Sequence, residues 1–330
     1  MVQRDVPRVG PGARIRPGVP FAAVALDLLF GEPPTQLHPT VAMGRVIGAV
    51  RRRQRATSPL GASLAGMATV GLGAVATAFA ARAISSLLEN RVPASLPSVA
   101  LHGALLKPSL SLRALLAAGA QVERALHAGN LPEARRLLAW HLVSRDVSSL
   151  NESEVAGATI ESLAENLSDG LVAPLLAYAL GGLPAAYVYR FVNTADAMLG
   201  YRTPELEWFG KAAARTDDLL NLLPARLTAA LIAAAAPVGS GSSRDAIAVA
   251  WRDHARTPSP NAGWPMASVA GALGVRLTKR DTYDLNATGR APNAGDIART
   301  RRIVAGAAAG AVALIEGLIL MRQRELGNPP

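Results

Sequence analysis

Residues 60–81 read LGASLAGMATVGLGAVATAFAA, a run of 22 residues without a charged side chain. About 20 consecutive apolar residues are enough for a helix to cross the hydrocarbon core of a bilayer. The many Gly and Ala residues in this run would let neighbouring helices approach closely inside a membrane. The stretch therefore predicts a transmembrane helix.

Further apolar runs follow along the chain. Residues 171–189 and 227–243 carry no charge, and residues 303–321 carry only one acidic side chain. The runs at 20–30 and 96–118 are weaker, because charged residues interrupt them. We predict an all-α fold, a polytopic α-helical membrane protein with four to six membrane segments and polar helical or loop insertions.

The amino-acid composition excludes several kinds of functional site. Half of the 330 residues are hydrophobic and none is cysteine, which excludes disulfides, zinc–thiolate sites and a thiol nucleophile. The net charge of +10 comes from basic blocks beside apolar runs, such as residues 51–55, and such blocks orient membrane proteins. Basic and aromatic residues do not alternate as they do in single-strand binders, so we expect no nucleic-acid partner.

The N-terminal segment contains Arg4, Arg8, Arg14 and Arg16 and lacks the small-residue cleavage site of a signal peptide. We interpret residues 1–16 as a mobile basic tail. We interpret residues 17–330 as one integral membrane catalytic domain.

Two polar stretches separate the apolar runs. Residues 121–145 predict amphipathic helices, one of them capped by Asn130 with Pro132 in its first turn. Residues 244–300 contain four prolines and several glycines, so we expect much of this stretch to be ordered loop rather than long helix.

Acidic residues are concentrated in the middle of the chain. Residues 146–218 hold 11 of the 24 Asp and Glu residues but only four Lys and Arg residues. Carboxylates at this density repel one another unless a cation neutralises them, and oxygen ligands suit Mg²⁺. A solvated acidic surface is the alternative, and it is the better interpretation for Glu152, Glu154, Glu205 and Glu207.

Spacing divides the remaining acidic residues into three groups. Glu161, Glu165 and Asp169 are four residues apart, so they share one face of a predicted helix that runs into an apolar segment. Carboxylates at a membrane boundary are costly unless they are paired or bound to a metal. The other two groups are Asn193 with Asp196, and Asp217 with Asp218, Asn221 and Arg226. Together the groups indicate a Mg²⁺–phosphate site.

One apolar run carries a turn signal at its centre. Residues 181–184 read Gly-Gly-Leu-Pro in the middle of the run 171–189. A straight span would place the acidic groups before and after this run on opposite sides of the membrane. We therefore predict a broken or re-entrant helical hairpin, which is tolerated where protein covers the exposed backbone. Pro237 suggests a similar break in residues 227–243.

Six polar segments occur in a characteristic order. They are Asp27–Pro34 with His38, Pro39 and Gly44; Ser144–Asp146; Glu161–Gly170 with Ala173 and Pro174; Asn193–Tyr201; Phe209 and Gly210 with Asp217, Asp218, Asn221 and Pro224–Thr228; and Ser259–Pro265 with Ala270–Gly274. In these segments the chain resembles adenosylcobinamide-phosphate synthase, the CobD/CbiB family of cobalamin biosynthesis. Residues 278–281 depart from the resemblance, because relatives often carry a Gly-rich turn there.

The resemblance implies an acid–amine ligase. A propionate carboxylate of adenosylcobyric acid would be joined to the amine of aminopropanol phosphate, or of a related amino alcohol phosphate, to give adenosylcobinamide phosphate. ATP would convert the carboxylate to an acyl phosphate, and Mg²⁺ would neutralise the polyphosphate. The implied partners are the corrinoid, the amino alcohol phosphate and membrane lipid. The implied location is the cell (inner or plasma) membrane, multi-pass, with the active site facing the cytoplasm, and a homo-oligomer is left open.

The resemblance also implies roles for individual residues. The catalytic candidates are Glu161 as the base, Glu165, Arg145 and Lys211. The Mg²⁺ candidates are Asp169, Asp196, Asp217 and Asp218, with Glu165 as a further option. The candidates for binding ATP and the substrates are Asn166, Asn193, Asn221 and Arg226, together with His38, Ser259 and Asn261, which would close over the corrinoid.

Two other function classes stay open on the sequence alone. A UbiA-like membrane prenyltransferase also binds Mg²⁺-diphosphate through Asp and Asn clusters, but it would need two matched Asp-rich motifs on long spans. A transporter or a non-catalytic assembly subunit would show charges inside its spans and internal repeats. The sequence shows no such repeat.

Overall fold

The computed structural model describes residues 15–55, 58–91, 96–201 and 203–325. Helices dominate these ranges, and they are α1 (Val19–Phe30), α2 (Pro39–Arg53), α3 (Pro59–Arg91), α4 (Leu96–Leu106), α5 (Leu112–His127), α6 (Leu131–His141), α7 (Glu152–Leu167), α8 (Ala173–Leu199), α9 (Lys211–Leu220), α10 (Leu222–Ala235), α11 (Ser243–Asp253), α12 (Gly263–Leu273) and α13 (Ala294–Glu325). A π-helical turn, Ser168–Val172, joins α7 to α8. Two short strands, β1 (Leu277–Lys279) and β2 (Tyr283–Leu285), pair antiparallel with Leu277 opposite Leu285.

Four helical stretches in the described ranges are long and apolar enough to cross a membrane. They are Pro59–Leu88, Glu152–Leu199, Leu222–Gly239 and Ala294–Glu325. The first exposes large apolar side chains such as Leu64, Leu72 and Phe79, as expected of a helix that faces lipid. The predicted all-α polytopic membrane fold is confirmed.

The predicted break in the third apolar run lies at Gly181 and Gly182. Gly182 has φ 67° and ψ −159°, a conformation that is nearly restricted to glycine, and neither residue is helical. A guanidinium N–H of Arg190 donates to the backbone carbonyl of Asp169 at 3.2 Å, although the two residues are 21 positions apart. A straight helix would separate them by about 31 Å. α8 is therefore a helical hairpin whose two arms are residues 173–180 and 183–199.

The chain also reverses after α10. A 3₁₀ turn, Ala236–Gly239, contains Pro237 and ends at Ser240, which has a left-handed conformation. α11 then returns along α10, so that Ala229 and Ala250 pack together with Trp264. The break suggested by Pro237 is thus present.

The polar insertions fold as follows. Asn130 caps α6 through a bond from the Glu133 amide to its side-chain oxygen, as predicted. Residues 244–300 contain more regular structure than the sequence predicted, because α11, α12, the β1–β2 hairpin and the start of α13 lie there. Ordered loops join these elements, and α11 and α12 have only 11 residues each. Pro265 stands in the first turn of α12, where a proline costs no hydrogen bond.

The N-terminal segment enters the described structure at Ile15. Arg16 is buried, its amide donating to the Tyr178 hydroxyl and its guanidinium to the Ser98 hydroxyl. The other three arginines of the predicted basic tail, Arg4, Arg8 and Arg14, lie outside the described residues.

Candidate active site

Asp217 on α9 is the best-supported carboxylate of the acidic region. Asn193 donates from the second arm of α8 to one of its oxygens (3.3 Å), and Asn221 donates to the other (2.9 Å). The Tyr189 hydroxyl donates to the side-chain oxygen of Asn221 (2.9 Å), which fixes the direction in which that amide points. Burial raises the pKa of Asp217, although the two amides oppose this shift, and the charge of Asp218 adds to it.

Three more carboxylates lie near Asp217, each on a different helical segment. Glu165 lies on α7, Asp169 on the π-helical turn and Asp196 on the second arm of α8, and their charges act on one another and on Asp217. A π-helical turn changes the direction of the side chains that follow it and is frequent at functional sites. The hairpin in α8 thus brings together carboxylates from both sides of the apolar run.

Arg190 is the cation within this group. Besides the Asp169 carbonyl, its guanidinium donates to the side-chain oxygen of Asn193 at 3.3 Å. Its Nε atom is buried and has no hydrogen-bond partner, and the same holds for the hydroxyl of Ser168, the residue before Asp169. Buried polar groups of this kind are usually bonded, so these two atoms are available to a ligand.

The second arm of α8 packs against the long apolar helix α3. The ring of Phe191, next to Arg190, lies against Gly73 in the middle of α3. The position of the carboxylates at a membrane boundary stays a prediction.

Metal ligation is incomplete in the protein alone. Within the described ranges, no three Asp, Glu, His or Cys side chains already converge on one ion position. Mg²⁺ in phosphate-transfer sites is usually held by one or two carboxylates and completed by water and substrate phosphates. The amide-oriented carboxylate of Asp217, the neighbouring acids and the unpartnered Ser168 hydroxyl fit an ion of that kind.

A cavity of about 200 Å³ adjoins the acidic group. Glu161 and Glu165 of α7 line it, together with Arg145 and with Lys279 and Tyr283 of the β1–β2 hairpin. Glu161 is only 5% exposed and its Oε1 atom has no hydrogen-bond partner, while Oε2 lies 3.9 Å from the Arg145 guanidinium. Burial and the charge of Glu161 raise the pKa of Tyr283, so its hydroxyl stays protonated beside that carboxylate.

The loop before α12 forms a third side of the region. The Asn261 amide donates to the backbone carbonyl of Asp218 (2.7 Å) and accepts from the Arg226 guanidinium (2.6 Å). Arg226 also lies over the ring of Trp264, 5.1 Å from its centre. Ser259 closes the loop by accepting from the backbone amides of Asn261 and Ala262. The loop is thereby tied to α9 and α10.

Three of the candidate residues chosen from the sequence are held by contacts with other protein residues. The exposed ammonium of Lys211 lies 4.7 Å from the centre of the Trp208 ring. Asn166 donates to Ser162 within its own helix. His38 caps α2 and is paired with Glu32 at 2.9 Å.

Sequence reasoning missed four polar residues of the region. Arg190 and Tyr189 stand at the end of the uncharged run 171–189, and the position of Arg190 three residues before Asn193 was a usable signal. Lys279 and Tyr283 gave no signal, because only the pairing of β1 with β2 brings them over α7.

Comparison with known proteins identifies the family. Residues 20–315 match the CobD/CbiB protein family. The chain belongs to the CobD/CbiB family. It is 42% identical to the cobalamin biosynthesis protein CobD of Geobacter metallireducens over 268 residues, which are 80% of this chain and 82% of that protein. No solved structure gives a significant match.

Other CobD relatives extend the similarity over nearly the whole chain. The cobalamin biosynthesis protein CobD of Rhodobacter capsulatus is 38% identical over 90% of this chain and 95% of its own length. A probable cobalamin biosynthesis protein CobD of Methanothrix thermoacetophila is 35% identical over 92% of this chain and 96% of its own length. This CobD/CbiB protein is thus a cobalamin-biosynthesis protein with membrane-spanning helices.

Proposed function

We propose that the protein is an adenosylcobinamide-phosphate synthase. It would join a propionate carboxylate of adenosylcobyric acid to the amine of aminopropanol phosphate, or of a related amino alcohol phosphate, at the expense of ATP. Membership of the CobD/CbiB family supports the pathway. The observation that carries the chemistry is the carboxylate of Asp217, held by Asn193 and Asn221 next to the cavity that contains Glu161.

Activation of the acid comes first in this proposal. A corrinoid carboxylate oxygen attacks the terminal phosphorus of ATP, so that an acyl phosphate forms and ADP leaves. The developing charge on the transferred group needs fixed cations and hydrogen-bond donors. Arg190 lies among the acids, and Arg226 lies beside the loop of Asn261, so both are placed to contact phosphate oxygens.

Magnesium is the cofactor of the proposal. Asp217 would hold it with Asp196 or Asp169, and Asp218 and Glu165 stand next to them. When bound, the ion supplies charge that neutralises the polyphosphate. Asn193 and Asn221 would keep the Asp217 carboxylate in position for the ion.

Amide formation follows. The amine nitrogen attacks the acyl carbon, the carbon–oxygen bond to phosphate breaks, and inorganic phosphate leaves. The attacking amine must give up a proton, and Glu161 is the proposed base because it is buried and has one unpartnered oxygen. Arg145 and Lys279 line the cavity beside Glu161 and supply its cations, whereas the catalytic candidate Lys211 lies over Trp208.

The setting of the reaction is part of the proposal. Corrinoid and amino alcohol phosphate would reach the site from the cytoplasm, where ATP is available, in an inner or plasma membrane. His38, Ser259 and Asn261 would contact the corrinoid.

The function is tested with protein purified in detergent. The protein is incubated with adenosylcobyric acid, aminopropanol phosphate, ATP and Mg²⁺, and the product is measured by mass spectrometry. We expect adenosylcobinamide phosphate only when all four are present. Absence of product from folded wild-type protein, in detergent and in lipid, would contradict the proposal.

A further inference from the structure

The cavity beside the acidic group has a size that selects among the substrates. Drug-sized ligands fill pockets of about 300–1,000 Å³. At about 200 Å³, the cavity is smaller than the pockets that such ligands fill. It suits a molecule with few non-hydrogen atoms.

Two carboxyl groups of α7 line the cavity. Glu161 and Glu165 are one helical turn apart on α7, so both carboxylates point to the same side of the helix. The Oε1 atom of Glu161 is buried and has no hydrogen-bond partner. An unpaired buried carboxylate oxygen is costly, and a primary ammonium group offers three donors to satisfy it.

The cationic side of the cavity comes from a different part of the chain. Arg145 precedes α7, and Lys279 lies at the end of β1, where its charge acts on both glutamates. Arg280, the next residue, makes a two-pronged ion pair with Glu154 (2.7 Å for both bonds), which ties the hairpin to the start of α7. Lys279 is therefore held over the cavity by a fixed strand end.

We propose that this cavity is the subsite for the amino alcohol phosphate, in which Glu161 and Glu165 bind the ammonium group and Arg145 and Lys279 bind the phosphate. The inference rests on the proposed function, and it adds which substrate occupies the cavity and in which direction. Two carboxyl groups on α7 and two cationic groups from other segments line the same cavity, which suits a small molecule that carries both an amine and a phosphate.

The direction of binding follows from the neighbours of the cavity. The charge of Glu165 acts on Asp217 as well as on the cavity, so the anionic side adjoins the acidic group where ATP is proposed to bind. The amine would therefore point toward the acyl phosphate. Glu161 first takes one proton from the ammonium group, which frees the nitrogen lone pair to attack the acyl carbon. The second proton leaves the nitrogen with the departing phosphate as the carbon–oxygen bond breaks.

Calorimetry on the detergent-purified full-length protein, without ATP or corrinoid, tests the subsite. The probes are aminopropanol phosphate, propanediol phosphate, which has a hydroxyl in place of the amine, and inorganic phosphate. We expect aminopropanol phosphate to bind wild-type protein at least tenfold more tightly than either of the other two. Equal affinity for the first two probes would overturn the proposal without any variant.

Variants assign the two ends of the ligand. Glu161→Gln should abolish the preference for the amine, whereas Lys279→Met should weaken both organic phosphates by a similar factor of about ten. Exposed residues elsewhere provide matched controls, and Glu207→Gln and Arg244→Met should bind as wild type does. A folded Glu161→Gln protein that keeps the full preference would overturn the assignment of the ammonium.

The product assay separates this inference from the proposed function. If amide product forms while the amine gives no preference in binding, the subsite is wrong and the function stands. If the preference is present and no product forms with all substrates, the subsite stands and the proposed reaction is wrong.

Discussion

Arg190 and Asp169 are joined by a hydrogen bond from a guanidinium N–H to a backbone carbonyl (3.2 Å) across a hairpin inside an apolar run. This contact holds the second arm of α8 against the π-helical turn that carries Asp169. Without the hairpin, two of the three acidic groups would lie on opposite sides of the span. The active-site proposal therefore depends on the turn at Gly181 and Gly182.

Gly182→Ala tests the turn. Gly182 has φ 67° with ψ −159°, and placing a Cβ there costs about 1–3 kcal/mol. We expect a lower thermal midpoint in detergent and a loss of ligase activity larger than the loss of folded protein. Gly71→Ala is the control, because nothing lies within 4 Å of a Cβ added there, and it should leave both unchanged. A fully active, stable Gly182→Ala protein would show that the turn is not needed.

The dependence on Mg²⁺ should change with pH. Burial raises the pKa of Asp217, so a proton competes with a cation for this carboxylate at a higher pH than it would at an ordinary Asp. We expect the half-saturating Mg²⁺ concentration to rise as the pH falls toward that pKa, measured from rates of product formation. The same half-saturating concentration in mildly alkaline and mildly acidic buffer would remove Asp217 from the ion site.

Asp217→Asn should abolish this response. The variant keeps the shape of the side chain but loses the charge and one of the two oxygens that accept from Asn193 and Asn221. We expect a lower thermal midpoint and at least a hundredfold lower rate per folded molecule at saturating ATP. Asp245→Asn, an exposed acid in the first turn of α11, is the matched control. Equal rates for the two variants would argue against the site.

Asp253 gives a separate prediction about stability. Burial alone would raise its pKa, but ion pairs with Arg252 and Arg256 and a bond from the Asn286 amide outweigh burial and hold the pKa below its ordinary value. A lowered pKa contributes stability above the unfolded-state value of about 3.9, and the contribution is lost as the pH falls through the folded-state pKa. Asp253→Asn should therefore lower the thermal midpoint at neutral pH, and the deficit should shrink in acid. A deficit that is constant with pH would assign the effect to shape rather than charge.

Asn261→Ala tests the loop before α12. The substitution removes the bonds to the Asp218 carbonyl and to Arg226 and leaves both groups without that partner. We expect a loss of about 1–3 kcal/mol in stability, together with a higher KM for ATP, because Arg226 is then free to move. An unchanged KM in a destabilised protein would mean that the loop only supports the fold.

Local signals in the sequence predicted much of this architecture. Gly181 and Gly182 predicted the hairpin, because an uncharged run with two glycines and a proline at its centre does not form one straight helix. Asn130 likewise predicted the N-terminal cap of α6. The spacing of Glu161, Glu165 and Asp169 placed them on one face because the helical repeat is a local property.

Contacts between residues far apart in the chain could not be predicted from the sequence. Lys279 and Tyr283 meet Glu161 across more than a hundred residues of chain, through a two-stranded hairpin whose strands are only three residues long. α12 is buried along its whole length, so its sequence shows no polar face and was interpreted as loop. Lys211 follows Gly210 and was chosen from the sequence as a catalytic candidate. The sequence could not show that its side chain lies over Trp208.

Following the oxygen atoms of the reacting carboxylate is the most direct test of the proposed ligation. Adenosylcobyric acid labelled with ¹⁸O in its reacting carboxylate is incubated with the protein, aminopropanol phosphate, ATP and Mg²⁺, and the inorganic phosphate is analysed by mass spectrometry. Activation through an acyl phosphate predicts that each amide formed transfers one labelled oxygen to inorganic phosphate. Amide product accompanied by unlabelled phosphate would contradict the account.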